Sequence, residues 1–175
     1  RVAVDVGREH ANVIDAAASG AANGMQLALN VAAMLIAFLA FMAMFDYGLG
    51  LIQPGLSMGG MMAFVFSPVA ALIGVPSSDI PVVADLLGTK LVLNEMVSYV
   101  KLNGEYAGLI SDRAHTLATY ALTGFANFGS IGVLLGGIGG MAPERRGDLA
   151  RLSLRALLGG FAATLINASI AAVLL

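Results

Sequence analysis

Cysteine is absent from all 175 residues. That removes disulfides, thiolate nucleophiles and cysteine metal sites from consideration. The two histidines, His10 and His115, stand alone in the sequence, so a histidine metal centre is not expected. Charge is also scarce: 11% of residues are charged, against about a quarter in ordinary globular chains. The net charge of −2 and the lack of a basic patch with interleaved aromatics argue against nucleic acid as a partner. Nowhere do a nucleophile and a base, a phosphate-cradling glycine loop or a metal-ligand spacing occur, so neither an enzyme nor a cofactor is expected. The start, Arg1-Val2-Ala3-Val4-Asp5, has no initiator methionine and no signal-peptide pattern. It reads as a segment of a longer polypeptide.

What the chain does have is apolar length. Apolar residues make up 58% of it, and the mean hydropathy is +0.86. The few charges cluster, leaving uncharged windows at 16–45, 47–78, 116–143 and 156–175. Each provides about the 20 residues that a spanning helix needs. A soluble fold does not fit; an all-α integral membrane protein does.

One window is unusual inside. Thr123-Gly124-Phe125-Ala126-Asn127-Phe128-Gly129-Ser130-Ile131-Gly132 puts polar residues and glycines at the middle of a run long enough to cross a bilayer. Backbone that leaves the helix at membrane depth is tolerated only where protein surrounds it or a wet cavity lies beside it. Discontinuous helices of this kind build the midplane substrate sites of secondary transporters. The island therefore points to solute transport.

The remaining segments suit that architecture. Residues 1–24, punctuated by Asp5, Arg8, Glu9, His10 and Asp15, fit an interfacial amphipathic helix. Residues 25–45 form the clearest span, expected to stop at Asp46-Tyr47-Gly48, with a loop through Gly50, Pro54 and Gly55. The apolar stretch 57–74, containing Pro68, reads as a helix lying along or dipping into the interface, with a full span as the alternative. Two short pieces, 80–87 and 91–99, flank Gly88-Thr89-Lys90. Neither is long enough to cross, and together they fit a re-entrant hairpin. A polar connector at 103–113 leads to the helix that breaks near Asn127. Beyond the break, Gly132, Gly136 and Gly140, spaced at four, leave one face bare for close helix approach. The last span follows the charged turn Pro143-Glu144-Arg145-Arg146-Gly147-Asp148. Arg145, Arg146, Arg151 and Arg155 place that turn on the cytoplasmic side and the C-terminus outside.

Few residues are candidates for chemistry. Glu95 is a carboxylate in a short apolar segment, costing about 2.5 kcal/mol or more at membrane depth unless it faces a cavity or a partner. Ionised, it can accept from two hydroxyls, as in a ribose diol. The plainer reading is an exposed glutamate on an interfacial helix. Asn127 and Ser130 offer donors and acceptors for a neutral polar solute, or they serve the backbone groups freed at the break, or both. Phe125 or Phe128 can stack on a planar ligand, though a lone membrane phenylalanine is ordinarily core. Asn94 and Thr89 are secondary candidates that also suit helix capping. Lys90 reads as a snorkelling cation or the partner of a nearby carboxylate, Asp85 as such a partner, and Asn167 as an interhelical hydrogen-bonding residue.

Three runs carry a resemblance: Gly88-Thr89-Lys90-Leu91-Val92-Leu93-Asn94-Glu95-Met96, the run from Gly124 to Gly132, and Gly137-Ile138-Gly139-Gly140-Met141-Ala142-Pro143-Glu144-Arg145-Arg146. With the lead-in Asp15-Ala16-Ala17-Ala18-Ser19-Gly20-Ala21-Ala22-Asn23-Gly24, they closely resemble the concentrative nucleoside transporter family, in order, along nearly the whole chain. The resemblance implies an ion-coupled importer driven by Na+ or H+, a homotrimer in the plasma or bacterial inner membrane, and an elevator-like transport domain. By resemblance, 1–24 is a cytoplasmic interfacial helix, 25–48 the scaffold transmembrane helix, and 57–75 an extracytoplasmic interfacial helix. Residues 77–175 then form part of the transport domain, comprising a re-entrant hairpin (77–102), a broken helix (112–140) and a last transmembrane helix (149–175). The family pattern assigns Glu95, Asn127 and Ser130 to the ribose side of the nucleoside, with Phe125 in the same pocket. Gly129 and Met96 stand where many members have serine and phenylalanine. Most ligands of the coupling ion are expected outside this chain. The resulting expectation is the C-terminal part of a cation-coupled nucleoside symporter. The alternatives are an ion-coupled transporter of another polar metabolite and a non-transporting membrane scaffold subunit.

Overall fold

The computed structural model describes residues 11–175, and the helical elements found there number seven, besides a short 3-10 turn. The first ten residues of the expected interfacial helix lie outside the described residues. The first helix, α1, runs Val13–Ile52, about 60 Å at 1.5 Å per residue. Asn12 caps it by accepting from the Asp15 amide at 2.9 Å. No break occurs at Gly24, and the helix does not stop at Asp46-Tyr47-Gly48 as the sequence suggested. Asp46 stays helical and spends its carboxylate on the next element, accepting from the Met58 amide at 2.7 Å. The real terminator is Pro54, which forces Gln53 out of the helical region to φ −148°, ψ 122°.

Helix α2, Met58–Ile73, starts at the Ser57 cap and ends at Gly74, whose φ of 98° is the left-handed closure glycine allows. Helices α3 (Ile80–Val92) and α4 (Glu95–Asn103) form an antiparallel hairpin. The Ser98 hydroxyl donates to the Leu86 carbonyl at 3.1 Å, and Lys101 pairs with Asp85. The tip is not at Gly88-Thr89-Lys90, where the sequence placed it. Helix α3 passes straight through those residues and turns at Leu93-Asn94, where Asn94 caps α4. Gly88 serves packing instead. A Cβ there would lie 2.8 Å from Met62 Cβ and 3.3 Å from the Gly59 carbonyl, so its bareness lets α2 lie against α3.

The hairpin base is tied to the next helix. Asp79 is 6% exposed and accepts from the Ser111 hydroxyl at 2.6 Å and the Ser111 amide at 3.2 Å. The Ser111 hydroxyl is the main reason its carboxyl is held below the usual range, against a raising effect of burial. Asp85 sits deeper in the hairpin and also accepts from the Tyr106 hydroxyl at 2.9 Å.

Helix α5 (Asp112–Leu122), an interruption, and α6 (Phe128–Met141) follow. After a 3-10 turn at Pro143–Arg145, α7 runs Arg146–Leu174, taking into the helix charges that the sequence assigned to a turn. Among the described residues, α7 is the helix long and apolar enough to cross a membrane by length and composition. The core lies where α2, α3, α5 and α7 meet, around Phe66, Ala70, Leu86, Leu87, Leu117 and Phe161. Phe66 and Phe161 meet at a centroid distance of 5.2 Å. Arg113 donates to the Ala172 carbonyl at 2.8 Å, and Gly74 lies against Ala172. The end of α2, the start of α5 and the C-terminus therefore share one side of the molecule. On α6 a Cβ built at Gly137 would lie 3.2 Å from Leu27 Cδ1 of α1, while one at Gly136 would meet open space. Of the glycines expected to line that face, Gly132 is buried and Gly136 exposed.

Gly88→Ala in the full-length protein is expected to destabilise it by about 1–3 kcal/mol, the range for overpacking a tight contact. Thermal unfolding in detergent, compared with the parent, measures this.

Candidate functional site

The interruption at 123–127 has two sides with different needs. On the α5 side, the last carbonyls of the helix have no partner within it. At Gly124, φ is +82° and a Cβ would meet Thr164 Cγ2 at 2.8 Å, so this turn requires glycine. The Tyr120 carbonyl is taken by the Thr123 amide at 3.3 Å and hydroxyl at 2.6 Å. The hairpin supplies other donors. The Tyr99 hydroxyl donates to the Thr119 carbonyl at 2.8 Å. Lys90 donates to the Ala121 carbonyl at 2.8 Å, the Thr123 carbonyl at 2.9 Å and the Thr164 hydroxyl at 2.9 Å.

Lys90 is 0% exposed and, among the described residues, the bulkiest fully buried side chain. All three ammonium hydrogens are used, and the Phe161 ring lies 4.9 Å from Nζ. The sequence suggested snorkelling or a carboxylate partner. Instead the cation sits at the C-terminal end of α5, where the helix dipole favours positive charge.

On the α6 side, Asn127 is the cap. Its Oδ1 accepts from the Ser130 amide at 2.7 Å, while the Ser130 hydroxyl donates to the Asn127 carbonyl at 2.5 Å. That leaves the Asn127 side-chain NH2, which donates to Glu95 Oε2 at 2.8 Å. Asn127 is 0% exposed, and Glu95 and Ser130 are half-buried. Glu95 opens α4 just as Phe128 opens α6. Its carboxylate is thus set at the positive end of its own helix and bonded to the cap of another.

Glu95, Asn127 and Ser130 are therefore one hydrogen-bonded chain joining the hairpin tip to the helix break. Phe125 is not part of that chain. Its ring is 55% exposed and lines, with Ser130, Leu27, Leu134 and Leu157, an apolar cavity of about 410 Å3 between α1, α6 and α7. Asn94 is spent on capping, accepting from the Val97 amide at 2.9 Å. Thr89 is buried inside the hairpin, 3.4 Å from the Lys101 ammonium. Asn167 faces outward on α7, and Thr164, one turn earlier, makes the interhelical polar contact.

The arrangement offers a solute hydroxyl acceptors on Glu95, since one carboxylate carries about four lone-pair sites and Asn127 uses one. The Ser130 proton is committed to the Asn127 carbonyl, so Ser130 contributes chiefly as an acceptor. Tyr99 and Thr164 were not singled out from the sequence, and Lys90 was given a different role there. The signal for Lys90 was present, because the cost argument that picked out Glu95 holds equally for a lysine in the same hairpin.

Comparison with known proteins converges. Residues 2–172 match the family model described as Na+ dependent nucleoside transporter C-terminus. The chain is 47% identical to an uncharacterized transporter of Bacillus subtilis, YutK, over 96% of its own length and 43% of that protein. It is 45% identical to sodium/nucleoside cotransporter 1 of Sus scrofa over 93% of its length and 28% of the cotransporter. Among solved structures, CNTnw in an inward-facing substrate-bound state superposes with a TM-score of 0.78 at 42% identity, covering 98% of this chain and 42% of CNTnw. A CNTnw variant in an intermediate state reaches 0.86 at 42% identity, covering 97% and 44%. The chain thus spans less than half the length of these relatives.

Asn127→Asp would set two carboxylates about 3 Å apart, and like charges that close cannot both ionise freely. The variant is therefore expected to unfold at a lower temperature than the parent at neutral pH. Unfolding temperatures of variant and parent in detergent at neutral pH check the sign.

Proposed function

The chain belongs to the Na+-dependent nucleoside transporter family, whose C-terminal region it spans; from this we propose that the whole protein imports nucleosides, coupled to sodium. It is part of an integral membrane protein of the plasma or bacterial inner membrane. The observation that carries the substrate reading is the Glu95–Asn127–Ser130 chain at the meeting of a hairpin tip and a helix break. Two half-helix N-termini, those of α4 and α6, meet there beside a carboxylate, and an exposed aromatic ring stands two residues before the cap.

In this reading Glu95 accepts from the ribose hydroxyls, the Asn127 side-chain NH2 donates, and Ser130 accepts. Phe125 lines the same pocket. Asn94 and Thr89 support the site by capping and hairpin packing. The name of the pig relative supports sodium as the coupling ion, and most of its ligands, with the groups that read the base, lie outside this chain. Binding of the ion orders the pocket and shifts the population towards the loaded, moving state. Helix α1, whose apolar residues Met25, Leu29, Ile36 and Met44 are exposed, suits a scaffold facing lipid and two further copies in a homotrimer. The transport domain, 77–175, moves against it. The cytoplasmic side is that of the arginines at 145–155.

Uptake of labelled uridine by the full-length protein carrying Glu95→Gln tests the reading. Loss of a hydrogen bond to a charged acceptor is worth about 1.5–3 kcal/mol, so apparent affinity is expected to fall by about ten- to hundredfold. Parental uptake and affinity would remove Glu95 from the site.

A further inference from the structure

The donor set around the Lys90 ammonium is that of a small monovalent cation site. Two of its three oxygens are carbonyls at the unwound end of a half-helix, and the third is a threonine hydroxyl from another helix, all at 2.8–2.9 Å. Broken transmembrane helices in ion-coupled carriers present such carbonyls to the coupling cation. Here no carboxylate closes the set, and each of the three ammonium hydrogens is taken by one of these oxygens.

We propose that Lys90 is a tethered cation, a covalently held stand-in for a bound monovalent ion that keeps the 123–127 break closed at all times. It is a positioning residue. It touches no solute, but it fixes the backbone that leads from Thr123 to Asn127, and so the direction in which Asn127 meets Glu95. The consequence is a division of labour: this break stays ordered whether or not a coupling ion is bound, and ion-dependent ordering must reside elsewhere in the full protein. The inference rests on the nucleoside reading only for its uptake arm.

The test uses the full-length protein carrying Lys90→Ala, which deletes three methylenes and the ammonium, together with propylammonium, which replaces them. Uridine uptake is expected to fall by about tenfold or more, as for the loss of a positioning hydrogen-bond set, and the unfolding temperature to drop. Millimolar propylammonium should raise both in the variant and neither in the parent. Lys90→Met, which fills the space with an apolar chain, should be impaired and insensitive to the amine. Unfolding temperature needs no substrate, so amine rescue of stability without uridine uptake in the parent would uphold Lys90 while sinking the nucleoside reading. No rescue of either readout in a folded Lys90→Ala protein, or parental behaviour of Lys90→Met, would overturn the proposal. Should Lys90→Ala fail to fold, Thr164→Val removes one ligand and leaves the cation. It should raise the KM for uridine several-fold, with Thr164→Ser restoring it, and an unchanged KM would overturn the proposal.

Discussion

A helix that breaks inside a membrane leaves carbonyls with no water to bond, and everything distinctive in this chain follows from how they are satisfied. One buried ammonium meets two of them, at Ala121 and Thr123, and ties the break to Thr164 on α7. Burying a charge is costly unless it is hydrogen-bonded, and each hydrogen bond to a charged group is worth about 1.5–3 kcal/mol. The contact therefore binds three elements, the hairpin, the broken helix and the last helix, into a single unit. Gly124 is a condition of this geometry, since any side chain there would strike the same Thr164. Tyr99 reinforces it from the other arm of the hairpin.

The two sides of the break are chemically opposite, and the hairpin answers each in kind. Its first arm sends a cation to the negative end of α5. Its second arm begins with a carboxylate beside the positive end of α6. Lys90 and Glu95 are five positions apart in sequence, yet they serve different helix ends, with the tip at Leu93-Asn94 turning the chain between them. In the proposed reading, capping and solute recognition fall to the same side chains. Asn127 uses its oxygen to hold α6 and its NH2 to hold Glu95. The structural and binding readings of these residues are therefore compatible, because a cap with fixed orientation presents its remaining donor in a fixed direction.

Much of this was legible from sequence. The break near Asn127 shows as glycines and polar residues inside an uncharged run, and the hairpin as two pieces too short to cross. Glu95 stands out because a charge at depth demands a partner. What misled was local punctuation. Gly88 looks like a turn, but its role is the approach of α2, a tertiary fact without a sequence signature of its own. Asp46 and Gly48 look like a stop, yet Asp46 is used to cap the neighbouring helix and the chain turns only at Pro54. Lys90 was underread because side chain–carbonyl contacts between segments far apart in sequence leave no spacing to detect. Phe125 lines an apolar cavity with residues of α1, α6 and α7 rather than joining the hydrogen-bonded chain.

The central claim is that the break and the hairpin tip are one cooperative unit held by Lys90. Amide hydrogen exchange on the full-length protein, parent against Lys90→Met, tests it most directly. The account predicts faster exchange in peptides covering 119–130 and 93–98 together, with the C-terminal half of α7 unchanged. Parental protection at 119–130 in the variant would contradict it.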